Sequence, residues 1–274
     1  MESVRSSFST QDGTKIFSQY WRPESPRAVV VQVHGLGEHS GRYAHVAAFL
    51  GQEGIALYAF DHRGHGRSDG KRGHVPAYES LMEEIDLALA EAEKLFPGLP
   101  KFLYGHSWGG NITLNYLIRR QPKIKAAIVT DPWLHIPPVP AFKEKLGRFM
   151  NNILPGLTQD SGLKSSGLSR DPKVVAAYDS DPLVHGKISV RLFVDSDAAA
   201  HYALGNASKV NVPLLLMHGG DDPITLKSGS EAFQKGLKGK NSLKIWPGLL
   251  HEIHNEPEQG DVLKMMRDFV LAEM

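Results

Sequence analysis

Residues 101–116 read KFLYGHSWGGNITLNY and place a serine, Ser107, between two glycines at the end of an apolar run. Gly105, Ser107 and Gly109 make the pattern G-x-S-x-G, the mark of a sharp strand-to-helix turn that presents a nucleophilic hydroxyl. Glycines two places to either side let the backbone turn where a β-carbon would clash. The pattern alone is weak: with Gly and Ser each near 7% of residues, a chain this long meets it by chance about one time in ten. Its setting adds weight, because 101–105 has the character of a strand and 111–119 that of a helix.

A serine hydroxyl is a poor nucleophile at neutral pH, so it needs a histidine base, an acid to orient that base, and donors for the oxyanion. Sheet enzymes built on this elbow order the three as serine, acid, histidine, which leaves His251 and His254 as candidates for the base. His251 is preferred, since it follows the last strand candidate in KIWPGLLHEIH and so returns to the sheet edge where sites form. For the acid, LLLMHGGDDPIT sets Asp221 and Asp222 directly after a buried strand. Asp222 is preferred, Asp221 is its close rival, and Asp131, at the end of the preceding strand, is the third choice. Both could equally be turn aspartates ahead of Pro223. HGLG at 34–37 follows the first long buried strand, and there the backbone amides of Leu36 and Trp108 are the expected oxyanion donors.

The elements that must position these residues are legible as short apolar runs at 28–33, 55–60, 101–105, 126–130, 213–217 and 243–246. Runs with little polar alternation suit parallel strands buried on both faces, so the expected fold is a doubly wound, mostly parallel α/β sheet. Between them, 79–96 carries Leu81, Ile85, Leu89, Ala92 and Phe96 at helical spacing and ends at Pro97-Gly98. Residues 6–21 alternate around Asp12-Gly13 and read as a hairpin. From 132 to 206 the strand-helix alternation lapses, which divides the chain into a core of 1–131 and 207–274 and an inserted helical cap of 132–206. Within the cap, Phe142, Leu146, Phe149, Met150, Ile153 and Leu154 form a helical stripe stopped by Pro155-Gly156, expected either to line a sleeve for an apolar chain or to pack on the sheet below.

Composition narrows the chemistry. The 274 residues, 41% hydrophobic, can bury a full-sized core. Lys and Arg total 31 against 30 Asp and Glu, so nucleic acid is not an expected partner. With no cysteine, thiol nucleophiles, disulfides and cysteine-ligated zinc are out. The opening MESVRSSFSTQDG lacks the pattern of a secretory signal, and no run has membrane-spanning length, so a cytoplasmic location is expected. HEIHNE differs from the zinc-protease pattern in the spacing of its histidines, and no phosphate-binding or dinucleotide-binding glycine motif is present, so neither metal nor cofactor is expected.

Taken in order, HGLGEHSGRY, DHRGHGRSDG, GHSWGGN, AAYDSDPL, HGGDDPIT and GLLHEIH resemble the monoacylglycerol lipase and lysophospholipase branch of the α/β-hydrolases over most of the chain. The resemblance implies Ser107, Asp222 and His251 as nucleophile, acid and base, and Leu36 and Trp108 as the oxyanion amides. It also implies that Glu38, Arg42, Tyr178 and His254 surround a pocket for a glycerol head, although an ion pair of Glu38 and Arg42 stitching the loop is an equal reading. Asp61, Arg63, Gly64, Gly66 and Ser68 then belong to a structured loop beside the site. One departure is Trp108, where this branch commonly has a smaller or flexible apolar residue; its indole is expected to narrow the cleft or stack on a neighbour. The expected activity is hydrolysis of a small lipid ester, a monoacylglycerol, through an acyl-enzyme. Phe142, Leu146, Phe149 and Met150 would line the acyl path, and the cap would touch a lipid surface transiently. A lysophospholipase, a short-chain carboxylesterase and a non-catalytic ligand-binding homologue are the alternatives.

Overall fold

The computed structural model describes the backbone of residues 1–274 and every side chain except those at 143 and 144. The chain opens with an antiparallel hairpin, β1 (Val4–Ser9) and β2 (Lys15–Trp21), turned at Asp12-Gly13 with Gly13 at φ 82. Next come β3 (Ala28–Val33), α1 (Ala44–Gly51) and β4 (Ile55–Phe60), and both of these strands are buried at every position. The helix read from spacing follows as α2 (Tyr78–Leu95), which lays Leu81, Met82, Ile85, Ala88 and Ala92 on the sheet. The serine segment is β5 (Lys101–His106) leading into α3 (Trp108–Arg120), and then comes β6 (Ala126–Thr130).

Between this strand and the next of the main sheet lie α4 (Ala141–Ile153), β7 (Thr158–Asp160), α5 (Pro172–Ser180), β8 (Lys187–Ser189) and α6 (Val190–Asn206). β7 and β8 pair as a separate antiparallel ribbon. The chain closes with β9 (Leu214–Gly219), α7 (Lys227–Gly236), β10 (Asn241–Trp246) and α8 (Gln259–Glu273).

The main sheet has eight strands in the order β1-β2-β4-β3-β5-β6-β9-β10. β1–β2 and β2–β4 pair antiparallel and all other neighbours parallel. Alternation within one strand builds two cores. Val29, Val31 and Val33 of β3 join one cluster with α2, α3 and α6, while Ala28 and Val30 join the other with α1 and α8. That is why these strands read as unbroken apolar runs: both faces are covered, and each fully buried Val or Leu contributes roughly 1.5–3 kcal/mol. α6 belongs to the first of these cores through Leu192, Ala200 and Ala203, so the inserted segment is anchored to the sheet layer at its C-terminal end. Among the described residues, no helix is long and apolar enough to cross a membrane.

Candidate active site

Ser107 caps the N-terminus of α3 with φ 57 and ψ −119, a left-handed backbone that a side-chain-bearing residue rarely adopts. The flanking glycines show what the turn demands. A β-carbon on Gly105 would meet Thr113 and come 2.6 Å from the Gly109 carbonyl oxygen, and one on Gly109 would run into the carbonyls of Val33 and His34. The turn therefore brings β5, α3 and the end of β3 into backbone contact, and only glycine fits.

The hydroxyl meets His251, which in turn meets Asp222, and both are delivered by distant loops. His251, on the loop after β10, has Nε2 at 2.8 Å from Ser107 Oγ, and its Nδ1 lies 2.7 Å from Asp222 Oδ2. Asp222, on the loop after β9, is itself fixed: Oδ1 accepts the amides of Ile224 and Thr225, and Oδ2 accepts the Thr225 hydroxyl at 2.7 Å. His218 Nε2 stands 3.3 Å from the same Oδ2. Burial opposes the charge on Asp222, but His251 and His218 outweigh it and hold this carboxyl well below the ordinary range. Burial likewise opposes the imidazolium of His251, and the Asp222 carboxylate reverses that, leaving His251 raised. Of the rival acids, Asp221 is exposed and makes no bond to His251, whereas Asp131 is buried close by.

The amides of Leu36 and Trp108 face no protein acceptor among the described residues. Glu38 shapes the loop carrying the first of them, since Oε1 accepts the Gly35 amide at 2.6 Å and the Tyr43 hydroxyl at 2.7 Å. Arg42 bonds Glu38 Oε2 at 2.8 Å and grips Glu252 with two bonds of 2.5 and 2.7 Å, while its guanidinium lies 4.8 Å from the centre of the Tyr178 ring. One half-buried cation thus serves two buried carboxylates. For Glu252, which has both guanidinium bonds, burial is overcome and the pKa falls to about 2; for Glu38, burial wins and the pKa rises.

Ser107 stands between two spaces. One is an apolar cavity of about 670 Å³ whose lining includes Leu36, Trp133, Ile136, Phe193, Ile224 and Leu250. The other is a narrow cleft of about 10 Å³ beside the serine, where Glu38, Tyr178, His251 and Glu252 meet Leu36, Leu163 and Leu168. Glu252 was not singled out from the sequence; its only signal was a charged residue next to the candidate base. Thr225 and His218 were missed as well, because a hydroxyl or imidazole that supports a carboxylate leaves no periodic mark.

Several sequence-based expectations land elsewhere. His254 lies behind the site, stacked on Tyr43 at 5.1 Å, with neither ring nitrogen partnered among the described residues, and it lines neither space. Phe142, Leu146 and Phe149 of α4 are exposed, and with the half-buried Met150 they stay off the cavity wall; the stripe fixed which face of the helix is apolar but not what that face looks toward. Trp108 does not narrow the cleft. Its indole is fully buried, stacks on His65 and donates from Nε1 to Ser196 Oγ of α6 at 2.8 Å. Asp61 organises the adjoining loop by accepting the amides of Ser40 and Arg67.

Asp131, Asp222 and His251 also hold donor atoms within 4.8 Å of one another, a grouping that could in principle hold a metal ion. Both ring nitrogens of His251 are engaged, however, with Asp222 and Ser107, which makes the grouping a proton-handling one.

A parallel sheet with a serine elbow, a histidine and an aspartate on the loops at its C-terminal edge defines an α/β-hydrolase of the serine type. The serine aminopeptidase, S33 family matches residues 24–258, and the chain belongs to this family of α/β-hydrolases. It is 36% identical to a monoacylglycerol lipase of Mycolicibacterium smegmatis over 289 residues, covering 100% of both chains. It is 32% identical over 253 residues to phospholipase YtpA of Bacillus subtilis, covering 91% of this chain and 97% of that one. Among solved structures, the monoacylglycerol lipase of Paleococcus ferrophilus superposes with a TM-score of 0.85 at 36% identity, covering 100% of each chain.

Proposed function

We propose that the protein is a serine esterase that hydrolyses monoacylglycerols to fatty acid and glycerol through an acyl-enzyme. The observation that carries this reading is the hydrogen-bonded line from Ser107 through His251 to Asp222, opening on an apolar cavity of about 670 Å³. The acyl chain occupies the cavity, and the glycerol head lies on the side of Glu38, Tyr178 and Glu252, where the cleft of about 10 Å³ must widen to admit it. His251 Nε2 takes the proton from Ser107 Oγ as that oxygen bonds the ester carbonyl carbon, and the oxyanion turns toward the amides of Leu36 and Trp108. The imidazolium then passes its proton to the glycerol oxygen as the ester bond breaks. Water, giving a proton to His251, attacks the acyl-serine, and the proton returns to Ser107 as the fatty acid leaves.

A phospholipase among the relatives makes a lysophospholipid the second reading. The cleft favours a neutral head group: Arg42 is already bound to Glu38 and Glu252, so a phosphodiester there would meet carboxylates before it met an uncommitted cation. Contact with a lipid surface is part of the same proposal. Phe142, Leu146, Phe149, Ile153, Leu154 and Leu157 are the exposed large apolar residues of 142–157, directly after the cavity-lining segment that ends at Val139.

The test is comparative turnover of a monoacylglycerol, a lysophospholipid, a nitrophenyl ester and an aminoacyl anilide by wild type and Ser107→Ala, with fluorophosphonate labelling of both. The expected result is highest kcat/KM on the monoacylglycerol, abolished together with labelling in the variant. Preference for the anilide or the lysophospholipid would replace the substrate, and undiminished turnover by Ser107→Ala would end the proposal.

A further inference from the structure

The mechanism above leaves unused a second carboxyl group standing behind the acid. Asp131 sits at the C-terminal end of β6, fully buried, at φ 48, a left-handed backbone forced on a residue with a side chain. Oδ1 accepts the Gly219 amide at 2.7 Å, but Oδ2 has no hydrogen-bond partner among the described residues. β6 and β9 are neighbouring parallel strands, so their C-terminal ends bring Asp131 and the loop of Asp222 to the same side of the imidazole. Asp131, Asp222 and His251 accordingly offer atoms within 4.8 Å of one another.

Each of these features costs stability, and a residue with no carboxyl would avoid the worst of them. Two carboxylates in one dry site do not both ionise. Burial first, and then the charge on Asp222, push Asp131 well above the ordinary carboxyl range, so Asp222 alone carries the charge. The remaining titratable neighbours of Asp131 are His218, whose Nε2 lies 3.9 Å from Oδ1, Tyr104 on β5, and Glu252 and Glu256 on the loop after β10.

We propose that Asp131 is a reserve acid for His251, idle while Asp222 is in place and able to orient the imidazole when Asp222 is removed. In that state the ionised Oδ2 accepts the Nδ1–H bond of His251, Nε2 takes the Ser107 proton as before, and no proton moves to Asp131. It acts through His251 and is therefore a positioning residue. The proposal rests on reading Ser107, His251 and Asp222 as the reacting line.

The test is a double-mutant cycle on a dissolved nitrophenyl ester with wild type, Asp131→Asn, Asp222→Ala and the double variant, using Ser107→Ala as the floor. The Asp131→Asn substitution should lower kcat at least tenfold more in the Asp222→Ala background than in wild type, with KM little moved. The acid limb of kcat should also be steeper in Asp222→Ala than in the double variant, because Asp131 must lose a proton before it can serve. Should Asp222→Ala fail to fold, Asp222→Asn, which keeps an oxygen for the amides of Ile224 and Thr225, takes its place in the cycle. Equal losses from Asp131→Asn in both backgrounds, or matching pH profiles, would overturn the reserve role. Turnover indifferent to Ser107→Ala would instead overturn the reading beneath it.

Discussion

At Ser107 the backbone is held at φ 57, and strain of roughly 1–3 kcal/mol is borne by contacts that glycine alone permits on either side. The return is alignment: Oγ, the imidazole and the carboxylate lie within hydrogen-bond reach before any substrate arrives. The electrostatics of the line set its pH dependence. Only neutral His251 can accept the serine proton, and its pKa is raised above the ordinary 6.5 because the effect of Asp222 exceeds that of burial. We expect kcat/KM for a dissolved ester to rise with pH through a value above 6.5. A profile flat from pH 5 to 8 would remove His251 as the base.

Among the elements, α4 and α6 divide the inserted segment into unlike parts. α6 is tied to the serine helix by Trp108 Nε1 to Ser196 Oγ, by Asn111 to the Ser196 carbonyl and by Asn115 to the Ala199 carbonyl. α4 instead turns Phe142 and Phe149 outward, 67% and 60% exposed, where they gain free energy only by meeting another apolar phase. Burying one such ring in lipid contributes about 1.5–3 kcal/mol, so under the proposed surface contact the pair supplies part of the attachment and the neighbouring apolar side chains the rest. Phe142→Asp with Phe149→Asp should weaken co-sedimentation with phosphatidylcholine vesicles and slow turnover of vesicle-borne monoacylglycerol far more than that of a dissolved ester. Equal slowing on both substrates would place α4 outside any membrane role.

Across the whole molecule, seven histidines outside the reacting line make the fold sensitive to acid. His34, His45, His65, His74, His106, His185 and His254 are all lowered, burial being the first cause in each, with His106 down to about 3. Below about pH 6.5 the unfolded chain takes up protons that these folded imidazoles refuse, so stability falls as pH falls, by up to about 1.4 kcal/mol per pH unit for each of the fully buried rings of His34, His65, His106 and His254 and by less for the solvent-screened rings of His45, His74 and His185. His251, Glu38, Asp131 and Asp195 are raised and act in the opposite sense, but the lowered imidazoles outnumber them. Thermal melts should therefore show Tm dropping from pH 7 to pH 5. A constant or rising Tm would mean that these rings are solvated.

The sheet, the elbow and the order of the reacting residues were legible in the chain because each rests on local physics. Apolar runs such as AVVVQV mark strands covered on both faces, and the glycines around Ser107 mark a turn that tolerates no β-carbon. Chain order alone confined the base to His251 or His254 and left Asp222, Asp221 and Asp131 open as acids. Only the tertiary structure decided that His251 meets both Ser107 and Asp222, that Arg42 is shared between Glu38 and Glu252, and that the stripe of α4 stays off the cavity wall. Those outcomes depend on how strand ends and loops far apart in sequence pack against one another, and residue spacing, which reports the conformation of a single segment, carries no record of that distance.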